Sequence, residues 1–153
     1  VAMAENQNLW STWRIVASSI GTLAGLAASL SFFFVFHAYE AAIWALISAA
    51  VAVSALLLAV GDKRGDIEFW FNIRGLKKVQ TVGFSIMAIS LGFFGWYLFT
   101  GLYYHIPVMP AEHSALIVSV WAFMTAKWGM AIFLFSGVAA KRIGSESPTL
   151  IDA

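Results

Sequence analysis

Four long apolar runs constrain the fold of this chain more than any other feature. They cover residues 13–36, 41–60, 82–103 and 114–140. An α-helix needs about 20 apolar residues to cross the ~30 Å hydrocarbon layer of a bilayer, and each run is long enough. A helix also pairs its backbone polar groups within one segment, as hydrocarbon requires. We therefore predict an all-α membrane protein, a single domain of four transmembrane helices with a short tail over residues 141–153.

The composition supports a membrane protein and argues against several classes of function. Hydrophobic residues make up 61% of the chain and charged residues only 11%, whereas about a quarter of a soluble domain is charged. The absence of cysteine excludes disulfides and thiolate chemistry. A net charge of +1 does not provide the basic surface that nucleic acid binding requires. No nucleophile motif and no intramembrane acid–histidine relay is present, so we expect a protein that is not an enzyme.

The basic residues other than Lys127 predict the orientation. Eight of them fall on the N-terminal flank, the middle loop and the C-terminal flank, and none falls in the other two loops. They are Arg14, Lys63, Arg64, Arg74, Lys77, Lys78, Lys141 and Arg142. Because cytoplasmic loops carry an excess of Lys and Arg, we expect both termini and the middle loop to be cytoplasmic.

Two further patterns bear on packing. Gly21, Gly25 and Ser29 recur every fourth residue and predict a flat face for close helix packing inside the bundle. Gly92 and Gly95 should allow similar contacts in the third helix. Residues 67–80 are amphipathic, which fits either a segment in the headgroup region or a solvated loop.

Lys127 lies near the middle of the fourth run, thirteen residues from either end, or roughly 20 Å at 1.5 Å per residue. An ammonium group at that depth costs about 2.5–3.5 kcal/mol on insertion scales and normally faces the bundle interior or a wet cavity. No Asp or Glu falls inside any of the four runs. Its partner should therefore be backbone carbonyls, water or an anion that the chain does not supply.

All three histidines fall on the side opposite the basic residues. They are His37, His105 and His113, accompanied by Tyr39, Tyr103, Tyr104 and Met109. Imidazole is a good ligand for iron, copper and zinc. A zinc site would find few carboxylates there, whereas heme iron needs only one or two axial ligands from the protein. Heme propionates are also the kind of anion that Lys127 lacks. The competing interpretation is that the three histidines are ordinary polar loop residues.

The tail carries a candidate sorting signal. Glu146, then three residues of any kind, then Leu150 and Ile151 match an acidic dileucine motif. On the cytoplasmic side such a motif is available to adaptor proteins. It favours a location in endosomes or lysosomes.

The fourth run resembles a known family. Residues 120–128, Val-Trp-Ala-Phe-Met-Thr-Ala-Lys-Trp, are similar to the fourth-helix signature of the heme-responsive-gene heme transporters, solute carrier family 48. The resemblance extends to the spacing from Trp70 into the third helix, to His105 just after that helix and to the dileucine-type tail. Those proteins have four helices with both ends in the cytosol, and they move heme into the cytosol from outside the cell or from endolysosomes. The resemblance therefore implies heme as the transported substrate and an endosome or lysosome membrane, with the plasma membrane as a second location.

The resemblance also implies roles for individual residues. His105 matches the external-loop histidine that the family uses as an axial ligand of heme iron. The expected heme-binding set is His105, His113, His37, Lys127, Tyr104 and Trp128, with Lys127 meeting the propionates. Heme should be released at the basic cytoplasmic face.

The sequence departs from the family at two places. The family's second helix usually offers a His or Tyr in its cytoplasmic half, whereas residues 56–60 are Leu-Leu-Leu-Ala-Val. The aromatic and basic cluster after the fourth helix is reduced to Lys141 and Arg142. These departures leave two alternatives, a heme carrier with a different inner ligand or a relative of the family with altered cargo.

Two other functions stay open at this stage. One is a non-transporting tetraspan protein in which Lys127 pairs with another membrane protein. The other is a divalent-metal carrier. Besides heme, the expected contacts are membrane lipid, adaptor proteins and a second copy of the chain in a homo-oligomer.

Overall fold

The computed structural model describes residues 2–146 and is helical, with no strand in that range. The elements are α1 Ala2–Phe34, α2 Tyr39–Arg64, α3 Ile67–Trp70, α4 Ile73–Tyr103, a 3-10 helix Ala111–His113, and α5 Ala115–Glu146. Four of these helices, α1, α2, α4 and α5, are long and apolar enough to cross a membrane. The predicted all-α fold with four transmembrane helices is confirmed. The cytoplasmic location of the termini stays a prediction.

Each long helix extends beyond its apolar run at one end at least, whereas α1 stops two residues before its run does. Helix α2 continues past Val60 to Arg64, where Gly65 ends it with a left-handed φ of 77°. Helix α4 begins at Ile73, and the Asn72 side chain caps it by accepting a hydrogen bond from the Gly75 amide at 2.7 Å. Residues 67–80 thus form the short helix α3 and the first turns of α4. Lys, Arg and Gln are good helix formers, so the helices continue where the hydrophobic pattern stops.

Helices α2 and α5 form the centre of the bundle, with α1 packed on α2 and α4 packed on α5. Helix α1 approaches one side of α5, where its Phe32 ring lies 6.2 Å from the ring of Trp121. Helix α4 covers the other side of α5, around Gly129 and Phe133. Consequently α1 and α4 lie on either side of the central pair and make few or no direct contacts.

Small residues set the closest helix approaches. A Cβ added at Gly83 of α4 would lie 2.8 Å from the backbone nitrogen of Phe133 on α5. A Cβ added at Gly129 would lie 2.8 Å from the backbone nitrogen of Met87. Backbones can approach this closely only where no side chain intervenes. The α4–α5 contact therefore depends on two facing glycines.

The glycine pattern of α1 packs as expected, but that of α4 does not. A Cβ at Gly25 would lie 2.9 Å from the Ala49 Cβ, and the Ser29 hydroxyl donates to the Ala42 carbonyl at 2.9 Å. By contrast, an added Cβ at Gly92 or Gly95 would meet nothing within 4 Å. The expected close contacts at those two positions are wrong, because this face of α4 borders open space.

Candidate binding groove between α2 and α4

One face of α4 borders three cavities in succession. The α4 residues that line them recur every three or four positions, so they form one stripe along the helix. They are Lys78, Val79, Val82, Ile86, Ile89, Gly92, Phe93, Trp96, Tyr97 and Thr100. Helix α2 forms the opposite wall at both ends, and α5 contributes Ile132 and Val118 to the floor. Because α2 and α4 make few or no direct contacts, a groove remains between them along the bundle.

The outer end of the groove, the end with the histidines, holds a cavity of about 430 Å³. This outer cavity lies between the start of α2, the end of α4 and the 3-10 helix. His37 and His113 both line it, together with Glu40, Glu112 and Tyr97. Two imidazoles, two carboxylates and a phenol make this the polar end of the groove. Its volume falls within the 300–1,000 Å³ typical of small-molecule sites.

An aromatic constriction separates the outer cavity from the rest of the groove. The Trp44 ring of α2 and the Phe93 ring of α4 lie 5.2 Å apart. Phe93 also stacks on Tyr97, with ring centroids 6.4 Å apart. A ligand that moves along the groove must pass these rings or displace them.

The opposite, inner end holds a larger cavity of about 540 Å³. Its walls are mostly aliphatic and come from Leu57, Leu58, Val79, Val82, Ile86 and Ile132. Trp70 and Phe71, at the end of α3, also line it. A Cβ added at Gly61 would lie 3.0 Å from the Trp70 ring, so this glycine lets the ring lie against α2. Ser54 and Lys78 are the polar lining residues.

Two of the three histidines occupy strained backbone positions at helix ends. His37 follows α1 with φ 51°, and His105 follows α4 with φ 52°. Glycine normally occupies left-handed positions after a helix, because a Cβ is disfavoured there. Strain of this kind clusters at functional sites. Asn also tolerates this conformation, which makes it a suitable replacement at both sites.

His105 itself lies outside the outer cavity. Its side chain is exposed on the loop after α4, with Nδ1 3.2 Å from the Tyr103 carbonyl oxygen. Tyr104 beside it is exposed as well. Both side chains are therefore accessible from outside the bundle.

Lys127 and Trp128 belong to a different cleft, between α1 and α5. This cleft measures about 320 Å³ and is lined by Trp13, Ile20, Trp121, Met124, Lys127, Trp128 and small residues of α1 and α2. Trp128 is buried, and a Cβ at Gly21 would overlap its ring. The Lys127 ammonium lies 4.8 Å from the Trp128 ring centroid, a cation–π contact. No acidic side chain lines the cleft, and the Lys127 side chain is exposed on the bundle surface.

The predicted heme residues therefore fall in three places. His37 and His113 line the outer cavity, His105 and Tyr104 lie on an exposed loop, and Lys127 and Trp128 line the other cleft. Within residues 2–146, no group of three or more His, Asp or Glu side chains could hold a bare metal ion. That result gives the divalent-metal carrier no site in the described structure.

The structure also contains a cluster of charged side chains that was not predicted from the sequence. The Asp62 carboxylate lies 2.7 Å from Arg14 Nη2 and 2.9 Å from Arg142 Nη2. Arg14 and Asp62 are both buried, and the Arg14 guanidinium also lies over the Phe135 ring. Asp62 lies two residues beyond the second apolar run, where the hydrophobic pattern gives no sign of burial. The available signal was Arg14, a charge at the second position of the first run, which needs a partner.

This Arg14–Asp62–Arg142 cluster joins α1, α2 and α5 at the inner end of the bundle. The N-terminal flank, the middle connection and the C-terminal flank consequently lie at one end, as the charge distribution predicts. The histidines lie at the other end. Which end faces the cytosol stays a prediction.

A comparison of the sequence with known protein families finds a match. The family model described as "Haem-transporter, endosomal/lysosomal, haem-responsive gene" matches residues 76–128, about a third of the chain. The matched segment contains most of the α4 wall of the groove, His105 and His113, and it ends at Trp128. No curated protein and no solved structure matches the chain significantly. The resemblance of this chain to the heme-responsive-gene heme transporters is thus confirmed over residues 76–128.

Proposed function

We propose that this protein transports heme along the α2–α4 groove, from the lumen or the outside to the cytosol. One observation supports the proposal above all. A single stripe of α4 links a cavity with two histidines at one end to an apolar cavity with a lysine at the other. Most of that stripe lies within the segment that matches the heme transporter family.

The outer cavity offers the chemistry that heme requires. Porphyrin supplies four nitrogens to the iron, so one or two axial ligands from the protein suffice. His37 and His113 line the same cavity and are the candidates for those ligands. In this proposal His105 and Tyr104, on the exposed loop, make the first contact with incoming heme.

Location and direction follow from the family and the charges. The family description names endosomes and lysosomes, and four spanning helices fit a multi-pass membrane protein. The basic residues at the inner end favour a cytosolic position for that end, so heme released there would enter the cytosol. The sorting motif adds no structural support, because Leu150 and Ile151 lie outside the described residues and the Glu146 side chain is not described.

Heme titration of the purified protein tests the proposal. Ligation by histidine should shift the Soret absorption band and saturate at a fixed heme-to-protein ratio. Cells that express the protein should also show a rise in a cytosolic heme reporter when heme is supplied in the lumen or outside. If heme causes no saturable spectral change and the reporter does not respond, the protein is not a heme transporter.

The second candidate, a tetraspan partner protein, is favoured by the position of Lys127. The Lys127 ammonium is exposed near the middle of a spanning helix, and no acidic residue lines its cleft. An intramembrane charge of this kind normally has a partner. Another membrane protein with a carboxylate at that depth would provide one.

Replacing Lys127 by Met separates the partner role from a cargo role. Because Lys127 lies outside the α2–α4 groove, we expect heme affinity to stay within about twofold. Thermal stability should stay equal or rise, since removing an intramembrane charge removes an insertion cost of about 2.5–3.5 kcal/mol. A large loss of heme affinity without a loss of stability would instead assign Lys127 to the propionates. Loss of a co-purifying membrane protein, with heme binding intact, would support the partner role.

A further inference from the structure

We infer that the inner cavity is a second heme station, one that holds the porphyrin without binding its iron. This inference rests on the proposed transport function and adds a site that the sequence did not indicate. Its starting point is the composition of the cavity wall. None of the residues that line it is a His, Met or Tyr, and the chain has no Cys. The usual axial ligands of heme iron are therefore missing.

The shape and chemistry of the wall nevertheless suit a flat amphipathic molecule. Aliphatic side chains from α2, α4 and α5 surround a space of about 540 Å³. Trp70 and Phe71 add aromatic surface at the inner end, where offset stacking on a planar ring system is favourable. Apolar pockets with one or two placed polar groups are typical of ligand sites.

Lys78 supplies the polar contact. It lines the cavity near the start of α4, and it forms no ion pair within the described residues. A free ammonium at the inner end matches a ligand whose apolar body lies along the groove and whose carboxylates point to the basic face. Heme has that arrangement, with two propionates on one edge of an apolar ring.

Continuity with the outer cavity also favours heme over lipid. Both cavities border the same stripe of α4, and the Trp44–Phe93 pair separates them. A molecule released by the outer histidines and moving along this stripe would therefore reach this cavity. An anionic phospholipid is the other molecule with an apolar body and a negative head, and the test below distinguishes the two.

Iron-free protoporphyrin IX is the appropriate probe, because it keeps the ring and the propionates but cannot be ligated through iron. Protein in nanodiscs of neutral lipid should bind it, with quenching of tryptophan fluorescence. Replacing Trp70 by Phe should remove part of the quenching without changing affinity by more than about twofold.

Lys78→Met should weaken binding about fivefold or more, the effect of losing one charge-assisted contact. Lys77→Met is the matched control, because this neighbouring lysine does not line the cavity, and it should bind as the unmodified protein does.

A second pair of variants tests whether the porphyrin occupies the inner cavity. Ser54 is exposed on α2 and lines the cavity, so Ser54→Trp should fill it and abolish porphyrin quenching. Ser85 is exposed on α4 outside the cavity, and Ser85→Trp should have no effect. Equal binding by Lys78→Met and Lys77→Met, or unchanged binding by Ser54→Trp, would overturn the inner station. Displacement of the porphyrin by anionic phospholipid at equal concentration would identify a lipid site and also overturn it.

The outcomes distinguish this inference from the proposed function. If the inner station fails, heme should still shift the Soret band through the outer histidines. If the protein binds neither heme nor protoporphyrin, the transport function itself is wrong. A variant without His37 and His113 should lose the Soret shift but keep the porphyrin quenching.

Discussion

Replacing Asp62 by Asn should destabilise the bundle by about 3–5 kcal/mol, the usual cost of leaving one buried charge of an ion pair without its partner. Arg14 would be that charge. It is 5% exposed, its Nη2 bonds Asp62 at 2.7 Å, and its Nε and Nη1 have no hydrogen-bond partner. The measurement is the midpoint of thermal or denaturant unfolding of the purified protein without heme.

Two control variants test whether the loss of stability comes from the buried Arg14–Asp62 pair. Arg142→Gln should cost less than about 1 kcal/mol, because its side chain is 40% exposed and solvent weakens such pairs. Replacing Arg14 by Met and Asp62 by Leu together should restore most of the stability, since apolar substitution of a whole buried pair is often neutral. If Asp62→Asn is as stable as the unmodified protein, the cluster does not hold the three helices together.

Removing both outer-cavity histidines should reduce heme affinity by at least about tenfold and eliminate the Soret shift. The double variant is His37→Asn with His113→Gln. Loss of an outer-shell partner of a metal ligand already costs 10–100-fold, and losing the ligands themselves should cost no less. Asn preserves the left-handed backbone at residue 37, so the helix end should remain intact. Heme titration and a melting curve on the same sample separate loss of ligand from loss of fold.

His105→Asn is the matched control for the histidine test. It also places Asn at a left-handed helix end, but His105 does not line the outer cavity. We expect a change of less than about threefold in equilibrium affinity, with a slower association rate if the loop makes first contact. If His105→Asn alone abolishes the Soret shift, the ligand assignment implied by the family resemblance is correct and the one based on the outer cavity is wrong.

The number and position of the spanning helices were predictable because hydrophobic length alone specifies them. Their polar ends were not, since the helical backbone continues through Asp62 and the first turns of α4, where the apolar pattern has stopped. The hydrophobic pattern therefore gives no indication that Asp62 is buried beside Arg14.

The groove could not be predicted because it depends on which helices fail to pack. The sequence shows glycines at 92 and 95, but only the structure shows that they border open space while Gly83 and Gly129 make the contact. Similarly, the position of Lys127 in its apolar run predicts its depth in the bilayer, but it does not predict the face of α5 on which Lys127 lies. That His37 and His113 line the same cavity depends on the conformation of two connections that are far apart in the chain.

The exposed side chains of the groove have a consequence for how a cargo would cross the bilayer. Ile89 and Trp96, midway along α4, are 61% and 65% exposed, so acyl chains would form the missing wall of the passage. An apolar ring that slides there keeps one edge in a hydrocarbon environment and needs no fully enclosed channel. The rate of crossing should therefore depend on the thickness and fluidity of the surrounding bilayer, as well as on the protein. The same purified protein should work at different speeds in short-chain and long-chain vesicles.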